Sequence, residues 1–371
     1  MAKAVSIQNF DDWVKLFQAW QKDIGFPVEL MGDFKFEAKF GELDRPEIEF
    51  GDYQGQPKWE SVMQVPHQQV RDALLNLIVY QGDTEFASVE QQRLLVKTAP
   101  SEYDLKSLLR VMCEEQRHGW QMCYLMVKYF GKTGAIEAQK QLERRSWNNQ
   151  RLLGSFNVPT EHWLDFFTYT EFVDRDGKYQ LKMLSRSAFA PLARSMGPML
   201  KEESFHLGTG HTGLKRVLQA GKVPVAIVQR YFNKWVPTAF DLFGVDQSTS
   251  ARMFYVYGLK GRFDEGETAE APDLDRLNER ARLQYRDECL ELTRQLNEWV
   301  APGQPKLVLP DIKFRRAIGQ YKGQRYTIEG QPFEGGDKAW EDYLATVLPS
   351  DDDRRVLEDL FKSPDWIAAK G

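Results

Sequence analysis

Two copies of a Glu-x-x-His motif, each inside a long amphipathic segment, constrain the fold of this chain more than any other sequence feature. The first copy pairs Glu115 with His118, and the second pairs Glu203 with His206. Three residues advance an α-helix by about 300°, so the carboxylate and the imidazole of each motif share one helix face. Each pair can therefore bind one metal ion, and two such helices side by side would bring two ions together.

Four long blocks of helical pattern surround these motifs. In each block apolar residues recur at i, i+3 and i+4, and Pro or Gly separates one block from the next. The blocks are predicted at residues 66–97, 101–130, 160–177 or slightly beyond, and 191–220, with a shorter helix at 136–153. Long helices with such apolar stripes are typical of an antiparallel bundle. We therefore predict an all-α fold with a four-helix bundle at residues 64–244.

The segments on either side of the bundle carry weaker patterns. Residues 1–63 contain many Gly and Pro residues and predict an irregular N-terminal cap, in which the alternating stretch Phe34–Phe40 favours a short strand. Residues 245–371 predict a C-terminal extension with one more long amphipathic helix at 274–300. Short strands are expected within residues 302–333, which are rich in Gly, Tyr and basic residues.

A di-metal site in a bundle also needs a carboxylate from each of the two long helices that lack the motif. The first block offers Glu85 or Glu90, and the third offers Glu171 or Asp174. Glu85 precedes Glu115 by 115 − 85 = 30 residues, and Asp174 precedes Glu203 by 203 − 174 = 29. The near-equal spacings indicate two similar helix pairs related by a pseudo-twofold axis. Because Glu171 lies one turn from Asp174, spacing alone does not choose between them.

The scarcity of histidine gives the two motifs their weight. The chain has five histidines and 28% charged residues, so a single Glu-x-x-His could be an ordinary surface ion pair, whereas two copies are harder to explain in that way. Four carboxylates and two imidazoles form an oxygen-rich donor set, which suits iron or manganese better than zinc. Four negative charges would also balance two divalent cations. The three cysteines are too few for a Cys-rich zinc or iron–sulfur site.

Several other functions are disfavoured by composition and pattern. The formal net charge is −5 and there is no basic tract, which argues against nucleic-acid binding. No apolar run approaches the roughly 20 residues of a membrane span, and no export signal is visible, so we expect a soluble, cytoplasmic protein. Residues 208–213 match G-x-G-x-x-G, but they follow directly on a motif-bearing helix. Close helix packing explains them better than dinucleotide binding does. His211 could lie near the site.

Longer segments around these residues resemble the ferritin-like di-iron oxygenases of aromatic acyl-CoA degradation, the phenylacetate-degradation type. The similarity extends over about residues 40–265, and the segments that carry it are Tyr80–Glu85, Glu114–His118, Phe172–Gly177 and Glu202–His206. Within this family the chain is more similar to the oxygenase components of benzoyl-CoA 2,3-epoxidases than to the catalytic subunits of phenylacetyl-CoA epoxidases.

The resemblance implies a complete set of iron ligands, and it favours Asp174 over Glu171. Two iron ions would be held by the catalytic residues Glu85, Glu115, His118, Asp174, Glu203 and His206. Gln81, one turn before Glu85, would lie near the aromatic ring of the substrate. The implied activity is an O2-dependent monooxygenase reaction that converts benzoyl-CoA to its 2,3-epoxide. Electrons would come from NADPH through a separate reductase with flavin and iron–sulfur centres.

The chain departs from the pattern of these epoxidases in two ways. It has Ser204 and Phe205 where they have a small residue and a second histidine, and it appears shorter at its C-terminus. One alternative is therefore a related di-iron oxygenase that acts on another aromatic acyl-CoA or aromatic compound. Another is a non-catalytic ferritin-like protein that stores iron or is the partner of another subunit. Such proteins, however, typically lack a full ligand set. The oligomeric state is left open.

The phosphates of a CoA substrate would need Lys or Arg side chains at the entrance of the site. The candidates in the sequence are Arg144, Arg145, Arg151, Lys260, Arg262, Arg315 and Arg316.

Overall fold

The computed structural model describes residues 7–267 and 271–370. Within these residues the chain consists of helices and their connections, and β-type pairing is limited to isolated bridges. The all-α prediction is therefore confirmed. Residues 1–6 of the predicted N-terminal cap, and residues 268–270 and Gly371 of the predicted C-terminal extension, lie outside the described residues.

The α-helices vary in length, and one π-helical turn interrupts them. In chain order they are α1 (Phe10–Asp23), α2 (Gln68–Gln92), α3 (Glu102–Tyr129), α4 (Gly131–Glu143), α5 (Trp163–Tyr169), α6 (Arg175–Leu184), α7 (Ala190–Ala220), α8 (Val225–Leu242), α9 (Thr249–Val256), α10 (Glu279–Leu296), α11 (Asp337–Val347) and α12 (Asp351–Leu360). The π turn (Thr170–Asp174) joins α5 directly to α6. Short 3₁₀ helices lie at Val28–Leu30, Val62–Gln64, Arg93–Thr98, Ser146–Asn148, Gly154–Asn157 and Pro364–Trp366.

Two antiparallel helix pairs form the bundle. α2 packs against α3, the continuous unit of α5, π turn and α6 packs against α7, and α3 contacts α7 to join the pairs. Local sequence sets the ends of the long helices. The Ser101 side chain caps α3 by accepting from the Asp104 N–H. α7 has Pro191 in its first turn and ends at Gly221, whose φ of 65° only glycine adopts readily.

The predicted helix at 136–153 is wrong in its second half, because α4 ends at Glu143. The side chain of Arg151 is fully buried and contacts Asp83 and Glu90 of α2. It also donates to the backbone carbonyls of Gln141 and Arg144. These contacts fold residues 144–153 back onto the bundle, which a continuing helix would not permit.

The N-terminal segment is less irregular than predicted, because it contains α1. Trp13, Phe17 and Trp20 recur at i, i+4 and i+7 on one face of this helix and are buried. Their rings pack against Phe86 of α2 and, for the first two, Trp120 of α3. The aromatic stripe is visible in the sequence, but the nearby Gly and Pro residues obscured it. α1 thus covers the outer face of the first helix pair.

Neither region that was expected to form strands does so. Residues 34–40 are not part of a strand, and Lys39 donates its N–H to the Gln121 side chain. Phe34 and Phe36 both pack against the core, and this explains the alternation of apolar and polar residues in the segment. Residues 302–333 are all described, and β-type pairing there is limited to the bridge between Tyr326 and Pro332.

The three cysteines, Cys113, Cys123 and Cys289, are buried and do not form disulfides. Throughout residues 7–267 and 271–370, every helix is too short or too polar to cross a lipid bilayer.

The glycine-rich run at residues 208–213 lies inside α7, so it does not have the strand-to-helix setting of a dinucleotide site. A Cβ on Gly210 would lie 2.6 Å from the backbone nitrogen of Glu171 in the π turn, and a Cβ on Gly213 would lie 2.1 Å from the Phe167 ring. Close helix packing is therefore confirmed for these two glycines. Gly208 faces open space instead.

We expect Gly210→Ala to lower the free energy of unfolding by about 1–3 kcal/mol, because the new methyl group would push against backbone and not against a flexible side chain. Gly208→Ala is the matched control in the same helix, and it should stabilise the protein by up to about 1 kcal/mol through helix propensity. Urea denaturation of both variants measures the difference. Equal stability of the two would show that α7 and the π turn are not held at close contact.

Candidate metal centre

The six residues that the sequence singles out as metal ligands meet in the interior of the bundle. They are Glu85 of α2, Glu115 and His118 of α3, Asp174 at the end of the π turn, and Glu203 and His206 of α7. None has more than 8% of its surface exposed. Charged side chains are rarely buried to this degree without a partner, so such a cluster needs a compensating charge.

Two groups of potential ligand atoms share one carboxylate. Atoms of Glu85, Glu115 and His118 all lie within 4.8 Å of one another, and so do atoms of Glu115, Glu203 and His206. The two imidazole rings are 6.0 Å apart, measured between centroids. Two adjacent three-residue groups that have one carboxylate in common could hold two metal ions side by side.

The Nδ1 atoms of both histidines are directed at the carboxylates. Nδ1 of His118 lies 3.3 Å from Glu85 and 3.5 Å from Glu203, and Nδ1 of His206 lies 3.2 Å from Glu115 and 3.3 Å from Glu203. Among the described residues, neither Nδ1 atom has a hydrogen-bond partner of good geometry, and neither does the buried Oδ2 of Asp174. Buried polar atoms without partners are costly and uncommon. Here both Nδ1 atoms lie near Glu203, and Asp174 lines the cavity beside the same residue.

Glu114 and Glu202, which directly precede the two motif glutamates, each hold the histidine of the other motif. Nε2 of His118 lies 2.9 Å from Glu202 on α7, and Nε2 of His206 lies 3.1 Å from Glu114 on α3. When Nε2–H donates to a carboxylate, Nδ1 of the neutral ring presents its lone pair to the centre. This reciprocal brace was not predicted from the sequence, although the doubled glutamates, Glu114–Glu115 and Glu202–Glu203, are a signal that could have revealed it.

The two braces are supported unequally. Glu202 contacts the fully buried Arg117 and also Lys39. Burial opposes ionisation of Glu202, but His118 and Arg117 lower its pKa to about 2. Glu114 contacts Arg110, whose side chain is 52% exposed.

Phe205 contacts Arg110, the exposed arginine that supports Glu114. The guanidinium of Arg110 lies 3.8 Å from the centroid of the Phe205 ring, a cation–π contact. Phe205, where the chain departs from the family pattern, therefore steadies Arg110, which in turn holds Glu114 at 2.9 Å. Its effect on the centre passes through the Glu114 brace.

Glu202→Gln and Glu114→Gln should each weaken metal binding by about 10–100-fold, because each removes the charge that orients a histidine. Their effects on stability should differ. Glu202→Gln leaves the buried Arg117 without a counter-charge and should cost about 3–5 kcal/mol, whereas Glu114→Gln frees an exposed arginine and should cost less than about 1 kcal/mol. Metal titration and urea denaturation measure the two effects. Unchanged metal affinity in both variants would contradict the role of the braces.

Without a cation, the centre holds protons that its residues would otherwise lose. Burial and the charge of Glu203 raise the pKa of Asp174 to about 8. Burial, with Glu85 and Glu203 nearby, also raises the pKa of Glu115 well above its usual value. Burial lowers the pKa of His206, but Glu203 and its other carboxylate neighbours outweigh it and raise that pKa strongly.

These observations fit a pair of divalent cations. The two groups supply three carboxylates and two imidazoles, and Asp174 lines the adjoining cavity with a buried oxygen that lacks a partner. Four carboxylates in all match the charge of two divalent ions. Glu115 belongs to both groups and would help to hold both ions. Bound cations would lower the raised carboxyl pKa values.

The π turn separates the two acidic residues between which spacing did not choose. Both oxygens of Glu171 are occupied away from the centre, one by Arg175 at 2.9 Å and the other by Nδ1 of His211 at 3.1 Å. Asp174, three residues later, lines the space beside Glu203 instead. A π turn winds less per residue than an α-helix does, so the two side chains diverge around the axis. His211 thus contacts Glu171 outside the cluster.

A cavity of about 330 Å³ borders the centre. The carboxylates of Glu85, Glu115, Asp174 and Glu203 line it, and so does Gln81, which donates from Nε2 to Glu85 at 2.5 Å. Much of the remaining wall is apolar, with Leu77, Phe156, Val173, Leu181, Leu184 and Phe254. Such a space suits an apolar ring beside the metal ligands.

Most of the residues predicted to bind CoA phosphates are engaged within the protein. Arg144 and Arg151 contact Asp83, Arg145 contacts Asp23, Arg262 contacts Glu265, Arg316 contacts Asp241, and Arg315 donates to the Asn233 carbonyl. These contacts argue against a phosphate site built from those arginines. Lys260 differs, because it lines the cavity.

Comparison with known proteins places this geometry in context. The sequence profile of the family described as "Phenylacetic acid catabolic protein" matches residues 61–298. Benzoyl-CoA oxygenase component B of Aromatoleum evansii is 36% identical over 378 aligned residues, which cover 87% of this chain and 78% of that protein. One subunit of the 1,2-phenylacetyl-CoA epoxidase of Escherichia coli (strain K12) is 25% identical over 180 residues, 48% of this chain and 57% of that protein.

Proposed function

The chain belongs to the phenylacetic acid catabolic protein family, and from this premise we propose that it is a di-iron monooxygenase that epoxidises the aromatic ring of benzoyl-CoA. The observation that carries the proposal is the buried centre, in which two ligand groups share Glu115 beside a largely apolar cavity. The relative that covers most of the chain is named as a benzoyl-CoA oxygenase component, which agrees with that chemistry.

Two iron ions would be held by Glu85, Glu115, His118, Asp174, Glu203 and His206. When bound, the iron pair would supply the activation of O2, with one oxygen atom added across the 2,3-bond of the ring and the other released as water. That balance takes two electrons and two protons from outside the chain. We propose that NADPH provides the electrons through a separate reductase with flavin and iron–sulfur centres, in keeping with a relative named as one component of an oxygenase.

The chain's own residues would hold the ligands and the ring in place. Glu114 and Glu202 orient the two histidines through Nε2. Gln81 is fixed by its hydrogen bond to Glu85 and lines the cavity, where its remaining polar atoms can contact the substrate. The apolar wall excludes water from the reacting bond. The CoA group would add binding energy that positions the ring at the centre.

The position of Phe205 bears on the alternative substrate. Its ring lies against Arg110, and the cavity wall is formed by other residues. The departure at this position therefore does not reshape the space in which the ring would lie. The three carboxylates and two histidines of the two groups, together with Asp174 in the adjoining cavity wall, also argue against a non-catalytic role.

Iron content and oxygen labelling test the proposed function together. Protein reconstituted anaerobically with ferrous iron should retain about two iron ions per chain. With NADPH, a reductase and ¹⁸O₂, benzoyl-CoA should give a product that carries one labelled oxygen atom. Turnover of phenylacetyl-CoA or another aromatic acyl-CoA in preference to benzoyl-CoA would replace the proposed substrate. Stoichiometric zinc with no retained iron would refute the di-iron centre itself.

A further inference from the structure

The cavity beside the metal centre adjoins a second, smaller one, with which it shares part of its wall. The main cavity has a volume of about 330 Å³ and the second about 150 Å³, and Lys260 lines both. The other shared lining residues are Leu242, Gly244, Ser250 and Phe254. An acyl-CoA whose ring lies at the carboxylates has a long chain to accommodate. The second cavity extends the space in which that chain can lie, and Lys260 stands where the two cavities adjoin.

The ammonium group of Lys260 is held by a neutral partner. Its Nζ donates to Oε1 of Gln180 at 2.6 Å, and among the described residues no carboxylate lies close enough to form an ion pair with it. The amide of Gln180 is itself fixed, because its Nε2 donates to Asp176 at 3.0 Å and to the Leu242 carbonyl at 3.4 Å. Burial lowers the pKa of Lys260 to about 8, against the attraction of Asp176 and Asp246. An ammonium has three N–H donors, so this contact leaves donors for a ligand.

The backbone places Lys260 rigidly. Its N–H and that of Leu259 both donate to the carbonyl of Phe254, and the N–H of Gly261 donates to the carbonyl of Met183 in α6. Gly258, with φ of 73°, makes the turn that leads into this segment. A side chain on such a support can define a position within the cavity.

Lys260 and the four carboxylates line the same cavity at separate positions. Gln180, which holds Lys260, follows Asp174 by six residues, and this corresponds to about 9 Å along a helix axis. Lys260 is thus held away from the carboxylates, at the side of the cavity that adjoins the second one. In an aromatic thioester the carbonyl oxygen is the first strong hydrogen-bond acceptor beyond the ring.

We propose that Lys260 positions the substrate by donating a hydrogen bond from its ammonium group to the thioester carbonyl oxygen of the aromatic acyl-CoA. This inference rests on the proposed function. Conjugation keeps the carbonyl coplanar with the ring, so fixing its oxygen also fixes which ring edge faces the metal ligands. Lys260 thereby favours the 2,3-bond over other ring positions. The role differs from phosphate binding at the entrance, for which an exposed side chain would suffice.

A cycle of two ligands and two proteins tests the contact. Benzoyl-CoA is compared with S-benzyl-CoA, a thioether that lacks the carbonyl oxygen, on the iron-loaded wild type and on Lys260→Met in the absence of reductase. Loss of the carbonyl should weaken binding to the wild type at least about tenfold, as expected for a charge-assisted hydrogen bond, and should have little effect on the variant. Lys182→Met, which removes a lysine on α6 that contacts Glu267, should behave as the wild type does.

Infrared spectroscopy on the wild type tests the hydrogen bond to the thioester carbonyl even if Lys260→Met does not fold. The ¹³C-labelled thioester carbonyl of bound benzoyl-CoA should absorb at lower frequency than in free benzoyl-CoA, and an unshifted band overturns the inference. An equal cost of losing the carbonyl in wild type and variant also overturns it. If the wild type instead binds 3′-dephospho-benzoyl-CoA poorly and Lys260→Met shows no further loss, Lys260 binds phosphate. Failure of benzoyl-CoA to bind at all refutes the proposed function and the inference with it.

Discussion

Glu115→Gln is expected to abolish retention of the iron pair and reduce turnover to background, and at the same time to make the iron-free protein more stable. Glu115 is the carboxylate that both ligand groups share, so its loss affects both ions. In the iron-free protein the same carboxylate is buried near Glu85 and Glu203. Burial raises its pKa most, and the negative charges of Glu85 and Glu203 raise it further. Replacing it by a neutral amide of the same shape removes that repulsion. A gain of about 0.5–2 kcal/mol is typical where a site trades stability for function.

Iron analysis, turnover and urea denaturation at a pH of about 8 measure the three effects on one preparation. Glu171→Gln is the matched control, since Glu171 is buried in the same bundle but contacts Arg175 and His211. This control should keep its iron and its turnover, and it should lose stability because a buried arginine loses a partner. A Glu115→Gln protein that retains two iron ions would contradict the assignment of Glu115 as the shared ligand.

The stability of the iron-free protein should fall as the pH rises from about 6.5 to about 8, and iron affinity should rise over the same range. The pKa of Asp174 is raised to about 8, that of Glu115 is raised well above 4.5, and those of His118 and His206 are raised above 6.5. In this window the folded protein holds protons that the unfolded chain has released. The slope of unfolding free energy against pH is therefore negative, up to about 1.4 kcal/mol per pH unit for each extra proton.

Chemical denaturation across this pH range, with and without iron, measures the effect. Iron displaces the same protons, so the stability gap between iron-loaded and iron-free protein should widen as the pH rises. Burial lowers the pKa of His162 to about 4, so this residue contributes the opposite slope only below about 6.5. Burial also lowers the pKa of Lys58 and Lys260 to about 8, and these two residues contribute the opposite slope only at the upper end of the range. The Glu115→Gln protein serves as control and should show a shallower slope. A flat or rising curve for the iron-free wild type would show that the centre does not hold excess protons.

The all-α fold class and the family could both be predicted from the sequence, because both depend on local patterns. The apolar stripes predicted the long helices, and α3 and α7 lie within one or two residues of the predicted blocks. The resemblance to oxygenases of the phenylacetate-degradation type is confirmed by the 36% identical relative, which covers 87% of the chain. The errors arose where nonlocal contacts override local pattern. Arg151 ends α4 early by binding acids on α2, and α1 depends on a surface built by Phe86 and Trp120.

By itself the sequence determined which residues could share a helix face, namely Glu115 with His118 and Glu203 with His206, because helical periodicity is a local property. Only the tertiary structure decided which partners face each other across helices. The π turn directs Glu171 toward Arg175. The packing of α3 against α7 brings Glu114 to His206 and Glu202 to His118. Spacing along the chain carries no information about such crossed contacts, since they depend on how α3 and α7 approach and on the close packing that Gly210 permits.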